Sequence, residues 1–232
     1  MVNLIYDGIS LRVRLLRKFF YRAWKNFVIA KAKKYIVAAQ CGATDSRDVS
    51  GPAVILCNLK HIRDIHVLMY LFREKEFGFV GLRVLEKVSV FKRLASFNRV
   101  IFFDPRKKAY SFLKEILVSL RNFNRTIILF PKIELDIPKE YVIDPSAVVR
   151  IAMMASVPIV PVSITWTDLR APKCNVVVGK RFFVSPASSE FRDVFFRRKG
   201  MRKFSRLDRE ELMAVAERIF SKLELADGPN LS

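Results

Sequence analysis

The chain has two histidines, His61 and His66, and both lie within three residues of Asp64. An imidazole held by a carboxylate can take a proton from a hydroxyl, so His61 as base and Asp64 as its orienting partner form the first constellation of chemical interest. On a helix, residues three apart share a face. The same spacing also suits a surface pair or a helix cap, and spacing alone leaves these readings open. A second candidate is the run Phe130-Pro131-Lys132-Ile133-Glu134, in which a proline ends an apolar stretch and is followed by a base and an acid. A third is Val157-Pro158-Ile159-Val160-Pro161-Val162, where two prolines three apart bracket the start of an apolar run. Proline donates no backbone hydrogen bond, so this string suits a sheet edge or the first residues of a strand.

These groups meet only if regular elements bring them together. Short apolar runs at Ala53–Cys57, Phe77–Val80, Val100–Phe103, Thr126–Phe130, Ile159–Thr165 and Asn175–Gly179 read as strands. Helical patterns fall between them at Ile62–Phe72, Val84–Leu94, Ala109–Phe123 and Ser146–Ala155. A last helix is expected from Asp208, its N-cap, with Glu211 three residues later and an apolar stripe to Leu223. Alternating strands and helices predict an α/β fold with a mostly parallel central sheet flanked by helices. In such sheets ligands bind beyond the carboxyl ends of the strands, which is where the His61, Pro131 and Glu134 segments fall.

The 232 residues fit one such domain with a small N-terminal appendage. A net charge of +20 requires an anionic partner, either nucleic acid or an anionic membrane surface. From Leu11 to Ala38 there are nine Lys or Arg and no acid, interleaved with a helical stripe that includes Leu16, Phe19, Phe20, Trp24, Phe27 and Val28. A basic helix with aromatic residues on its apolar face reads as lying in a membrane interface; the alternative is a helix packed on the domain with a solvated basic face. Residues 1–45 are therefore expected to be basic amphipathic membrane-associating helices, and 46–232 the α/β domain. A second basic stretch, Phe191 to Arg206, carries seven cations and is either another membrane-facing patch or a solvated loop. No helix-turn-helix, zinc-finger or ribonucleoprotein signature accompanies the charge, so nucleic acid is not the expected partner. Three cysteines without paired spacing, no secretory leader and no long uncharged apolar run predict a peripheral or monotopic protein on the cytoplasmic face of a membrane.

The order of these blocks, over roughly Val54 to Leu223, resembles the lysophosphatidic acid acyltransferases among the glycerolipid acyltransferases. The fourth family block is nearly intact in Val157 to Val162, and Val178-Gly179-Lys180 after it also fits. The second block, an apolar strand followed by Asp-Arg, corresponds to Ile101-Phe102-Phe103-Asp104, with Pro105 at the arginine position and Arg106 one step later. The resemblance implies that Arg106 binds the acceptor's phosphate with help from Lys107 and Lys108. The first block reads Asn-His-x-Ser-x-x-Asp in the family and Asn58-Leu59-Lys60-His61-Ile62-Arg63-Asp64 here. The third reads Phe-Pro-Glu-Gly in the family and Phe130-Pro131-Lys132-Ile133 here, with Glu134 two residues beyond the glutamate position.

Leucine accepts no proton, so the family mechanism cannot run through position 59. Either the chemistry has moved, with His61, Asp64 and Glu134 as the catalytic set, or the chain is a non-catalytic relative that keeps the fold and the membrane surface. In both readings Asn58, Arg106, Lys107, Phe130, Pro131, Lys132, Val157, Pro158 and Pro161 would line the substrate site. The resemblance implies transfer of an acyl group to a lysophospholipid hydroxyl in phospholipid biosynthesis. The donor would be the co-substrate acyl-carrier protein thioester or acyl-CoA, with no resident cofactor and no metal.

Overall fold

The computed structural model describes residues 11–41, 51–97, 99–103, 109–131, 133, 135, 145–168, 172–185, 214, 215, 217–219 and 221. Helix α1 (Leu11–Lys33) leads into strand β1 (Ile36–Cys41), followed by β2 (Val54–Cys57), α2 (Arg63–Leu71) and β3 (Phe77–Leu82). A 3-10 turn (Arg83–Lys87), α3 (Ser89–Ser96), β4 (Val100–Phe103), α4 (Ala109–Arg121) and β5 (Thr126–Leu129) come next. Helix α5 (Pro145–Ala155), β6 (Ile159–Asp168) and β7 (Lys173–Val178) complete the described elements.

The seven strands form one sheet in the order β1-β7-β6-β2-β5-β3-β4. Every neighbouring pair is parallel except β6 and β7. The expected mostly parallel α/β sheet is therefore the fold, and its inner strands show why they read as unbroken apolar runs. All of β2, β3 and β5 is buried, because helices cover both faces. Side chains alternate between two cores: Ile55, Cys57, Ile128 and Phe130 point to one, Val54, Leu56, Ile127 and Leu129 to the other.

Two expectations are corrected. The basic segment that runs to Ala38, expected to be helical, leaves the helix at Lys33; Tyr35 is buried, and Ile36–Cys41 is a strand paired with β7. The β-branched pair Ile36-Val37 next to an aromatic residue favours an extended edge over a further helical turn. The single helix expected over Val84–Leu94 is two pieces, the 3-10 turn and α3, broken at Val88, whose backbone is extended. Strands β6 and β7 also differ at their ends, running to Asp168 and starting at Lys173. The capped helix from Asp208 and the basic stretch Phe191 to Arg206 lie outside the described residues, apart from helical positions such as Val215 and Ile219, which are buried against the second core.

Helix α1 takes both roles that its sequence allowed. Val28 and Ala32 are buried, and Trp24 packs on the first core and stacks with Phe97 at a 5.9 Å ring separation. The opposite side exposes Leu16, Phe19, Phe20, Ala23 and Phe27, spaced three and four residues apart along one stripe.

The double-proline string sits where a parallel strand begins. Helix α5 ends in a left-handed residue, Ser156 (φ 54°), whose N–H reaches Met153 O while Val157 N–H reaches Ala152 O. This is the bonding pattern of a Schellman helix end, and a proline soon after it stops the helix. Pro158 O then accepts Val54 N–H, and Pro161 lies opposite Leu56 in an internal strand. Pro161 O accepts Gly179 N–H at 2.8 Å. A Cβ on Gly179 would come 2.7 Å from Pro161 Cγ, so only glycine allows that approach.

Candidate active site

Two of the segments singled out in the sequence, the His61–Asp64 loop and the one after Phe130-Pro131, come together at the carboxyl ends of β2 and β5. Strand β2 lies between β5 and β6, with Leu56 opposite Leu129 and Cys57 opposite Val162. Beyond the strands, an isolated parallel bridge pairs Leu59 with Ile133. This joins the loop holding His61 and Asp64 to the segment following Phe130-Pro131. Phe130 is fully buried in the aromatic core and Pro131 is buried beside it, while Asn58 is half-buried at the rim. Val157, Pro158 and Pro161 are buried under the sheet's opposite end and middle, where they shape β6. Lys132, Glu134, Arg106 and Lys107 lie outside the described residues.

Leu59 has no exposed surface and belongs to the first core. Its side chain points into apolar packing, which is where an apolar residue at that position gains most.

Asp64 also has no exposed surface, and its carboxylate is fully engaged. Oδ2 accepts Lys60 N–H at 2.9 Å and His61 N–H at 2.7 Å. Oδ1 accepts the indole N–H of Trp166 at 2.6 Å. Burial pushes the carboxyl up to about 6, against the opposing pull of these three donors. The His61 ring does not meet this carboxylate. Its Nδ1 instead accepts the backbone N–H of Arg63, the first residue of α2, at 3.0 Å. The Asp64 carboxylate returns to the His61 N–H, so the two side chains close a reciprocal arrangement like a capping box at the start of α2. Asp64 orients the His61 backbone, and the ring is set by Arg63 N–H and by Trp166, whose ring lies 5.8 Å away at 50°.

Half-buried His61 is held below the usual imidazole range by burial and by the Arg63 charge, so it is neutral at neutral pH. A neutral imidazole has one donor and one acceptor nitrogen. With Nδ1 accepting from Arg63, the proton sits on Nε2. His66, one turn along α2, is held at about 4 by burial, then by Lys31 and Arg63, and its Nδ1 is buried without a partner.

Trp166 was not foreseen in the sequence. The signal for it was slight: a tryptophan a few residues beyond the second proline of a strand expected to stop at Thr165. The strand instead continues past Val162, opposite the end of β2, to Asp168. That overshoot carries Trp166 alongside the Asn58–Asp64 loop, on the same face as Val162 and Ile164.

The sequence matches the family model described as "Acyltransferase" over residues 30–165, more than half of the chain. The chain belongs to the acyltransferase family. The fold agrees: it is similar to the crystal structure of the 1-acyl-sn-glycerophosphate (LPA) acyltransferase PlsC from Thermotoga maritima, with a TM-score of 0.52 and 19% identity over 94% of this chain and 84% of that one. No curated protein matches the chain in sequence. The matched span runs from the last residues of α1 through β1, the Asn58–Asp64 loop and Phe130-Pro131 to Thr165 in β6, and ends one residue before Trp166.

Proposed function

We propose that this acyltransferase works at an anionic membrane surface, on its cytoplasmic face, as a step in phospholipid biosynthesis. It moves a fatty acyl group from acyl-CoA or an acyl-carrier protein thioester to a hydroxyl of a lysoglycerophospholipid. The observation that carries this reading is the joining of two family blocks at one rim: Leu59 bridges Ile133, so the His61–Asp64 loop and the Phe130-Pro131 segment form one wall. The hydroxyl oxygen attacks the thioester carbonyl carbon, the C–O bond forms, and the C–S bond breaks. His61 takes the hydroxyl proton and returns it to the departing sulfur. Its depressed basicity keeps it neutral at neutral pH, and to accept at Nε2 the ring takes the Nδ1–H tautomer and gives up the bond from Arg63 N–H. In this reading Arg106 binds the acceptor's phosphate with help from Lys107 and Lys108, Lys132 belongs to the substrate site, and Glu134 joins the catalytic set.

The membrane part of the proposal rests on α1. Among the described residues no helix is long and apolar enough to cross a membrane. The exposed stripe of Leu16, Phe19, Phe20 and Phe27 lies between lysines and arginines, which suits insertion at the head-group level of an anionic bilayer.

A second reading has its own support in the bonds around His61. To accept a proton at Nε2 the ring must carry its other proton on Nδ1, and it then loses the bond from Arg63 N–H. With Nδ1 filled, Asp64 committed elsewhere and Leu59 in the core, the same geometry suits a non-catalytic relative that binds lipid.

The deciding experiment is an acyl-transfer assay on anionic vesicles, with lysophosphatidic acid as acceptor and both thioester donors. His61→Asn keeps an acceptor for Arg63 N–H but cannot take a proton, so under acyl transfer it loses about 100-fold or more in kcat. If the native chain yields no acylated lipid and only Leu59→His/Lys132→Glu does, the proposal gives way to the lipid-binding reading.

A further inference from the structure

We infer that Trp166 is a positioning residue of this site, holding Asp64 through its indole N–H and the His61 imidazole through a tilted ring contact. The inference deepens the acyl-transfer reading and rests on it for the meaning of activity, but not for its geometry.

A carboxylate with no exposed surface survives only if its lone pairs are satisfied. Two of the donors to Asp64 are backbone N–H groups of its own loop, which the local turn supplies. The only side-chain donor to it among the described residues is Trp166, 102 residues away in sequence and brought in by the overshoot of β6. The indole is fixed from two other sides. Tyr35, at the start of β1, packs edge-on at 5.8 Å and 64°, and the His61 ring lies at the same separation on another side. Cys174 of β7 is its cross-strand partner. Trp166 therefore ties three things together: the carboxylate, the ring of the proposed base, and the strands β1 and β7 that frame the rim.

Removing the N–H while keeping a ring, as in Trp166→Phe, leaves Oδ1 of Asp64 unpaired and the carboxylate held by its two backbone bonds. The titratable or charged groups around the carboxylate are Lys60, His61 and Arg63 from its own segment and Cys174 from β7. None of them replaces the indole as a donor to Oδ1 in the bonds described. The indole also lowers the proton affinity of Asp64, so its loss moves protonation of the carboxyl to higher pH.

The chain has two tryptophans, Trp24 and Trp166, so a 15N-edited proton spectrum of the native protein holds two indole signals. The expected result is one indole N–H shifted far downfield that moves with a midpoint near Asp64's titration, about 6, while the other is flat. Trp166→Phe removes the moving signal, and Asp64→Asn leaves it in place but stops its movement. In the vesicle assay Trp166→Phe lowers kcat about tenfold with KM within about twofold, and shifts the acid limb of the pH profile upward. Indole signals that are both flat between pH 4 and 8 overturn the inference whatever the activity. So does a Trp166→Phe enzyme with native kcat and native pH profile. A moving indole in a chain without acyl-transfer activity upholds the positioning geometry and sinks the acyl-transfer reading instead.

Discussion

On the side of the sheet covered by α1, α2 and α3, the largest buried side chains are rings: Phe72, Phe77, Phe79, Phe91 and Phe130. On the other side, under α4 and α5, the core is Val, Ile, Leu and Ala. The aromatic side is also the one that buries the Asp64 carboxylate, carries the site loop and supports the amphipathic helix. The aliphatic side buries no charged residue among those described. The difference has a physical basis. Rings bury large area with few rotatable bonds, and tryptophan and tyrosine add a polar edge that can satisfy a buried group. A core that must hold a carboxylate can do so where such residues are already packed, and a purely aliphatic core has no donor to offer. The aliphatic side serves as the platform that fixes the strands.

The largest test of this contrast is stability. Phe79 stacks on Phe130 at 6.0 Å and 9°, and meets Phe77 and Phe91 edge-on. Phe79→Ala is expected to cost about 3–5 kcal/mol in urea unfolding, whereas Ile127→Val on the aliphatic side costs about 0.5–1.5 kcal/mol. The ring cluster should also be coupled: a Phe79/Phe130 double-mutant cycle gives an interaction of about 0.5–1.5 kcal/mol. Equal costs on the two sides, with additive ring mutations, would remove the distinction.

Helix α1 sharpens the comparison within a single element. Its inner residues belong to the aromatic core, while its outer stripe is exposed. Replacing Phe19, Phe20 and Phe27 together by serine should leave the unfolding midpoint nearly unchanged, since each ring is already in water. The same triple change should weaken binding to anionic vesicles roughly 100-fold in sedimentation, because each ring inserted into the interface contributes apolar burial. Trp24→Ala should do the reverse, lowering stability by about 2 kcal/mol or more with a smaller loss of vesicle binding. A stripe variant that binds vesicles like the native chain would return α1 to a purely structural role.

Much of the fold was legible because parallel strands buried on both faces leave continuous apolar runs: the runs beginning at Ala53, Phe77, Val100, Thr126 and Ile159 all hold strands. Strand β1 was missed because its residues follow directly on a basic helical stripe, and its identity as a strand comes from pairing with β7, which lies far along the chain. At the site, the positions of His61 and Asp64 could be read, but their partners could not. Whether a histidine three residues from an aspartate makes a dyad or a cap depends on where Arg63 N–H points and on what reaches the carboxylate from outside the loop. Trp166 reaches it through a strand that outruns its neighbour, and no local pattern encodes that length. The bridge from Leu59 to Ile133 is likewise a consequence of sheet order.

The smallest expected effect concerns pH, and it again belongs to the aromatic side alone. Two buried groups there titrate in opposite senses. Asp64 rises from 3.8 to about 6 on folding, so between those values the native state binds the extra proton and stability falls as pH rises. His66 drops from 6.5 to about 4, so over nearly the same window the unfolded state binds the extra proton and stability rises with pH. In the native chain the two slopes largely offset each other. His66→Leu removes one of them, and relative to native the variant should gain stability as pH falls from 6 to 4, on the order of 2 kcal/mol. Asp64→Asn should show the opposite, losing stability relative to native as pH falls from 6.5 to 4. Taking differences from native cancels other carboxylates such as Glu76, which Arg99 holds below its usual value. Urea midpoints at pH 4, 5, 6 and 7 give the slopes directly. If both variants track the native chain across that range, the aromatic side holds its ionisable groups no differently from solvent, and the contrast between the two sides is one of shape alone.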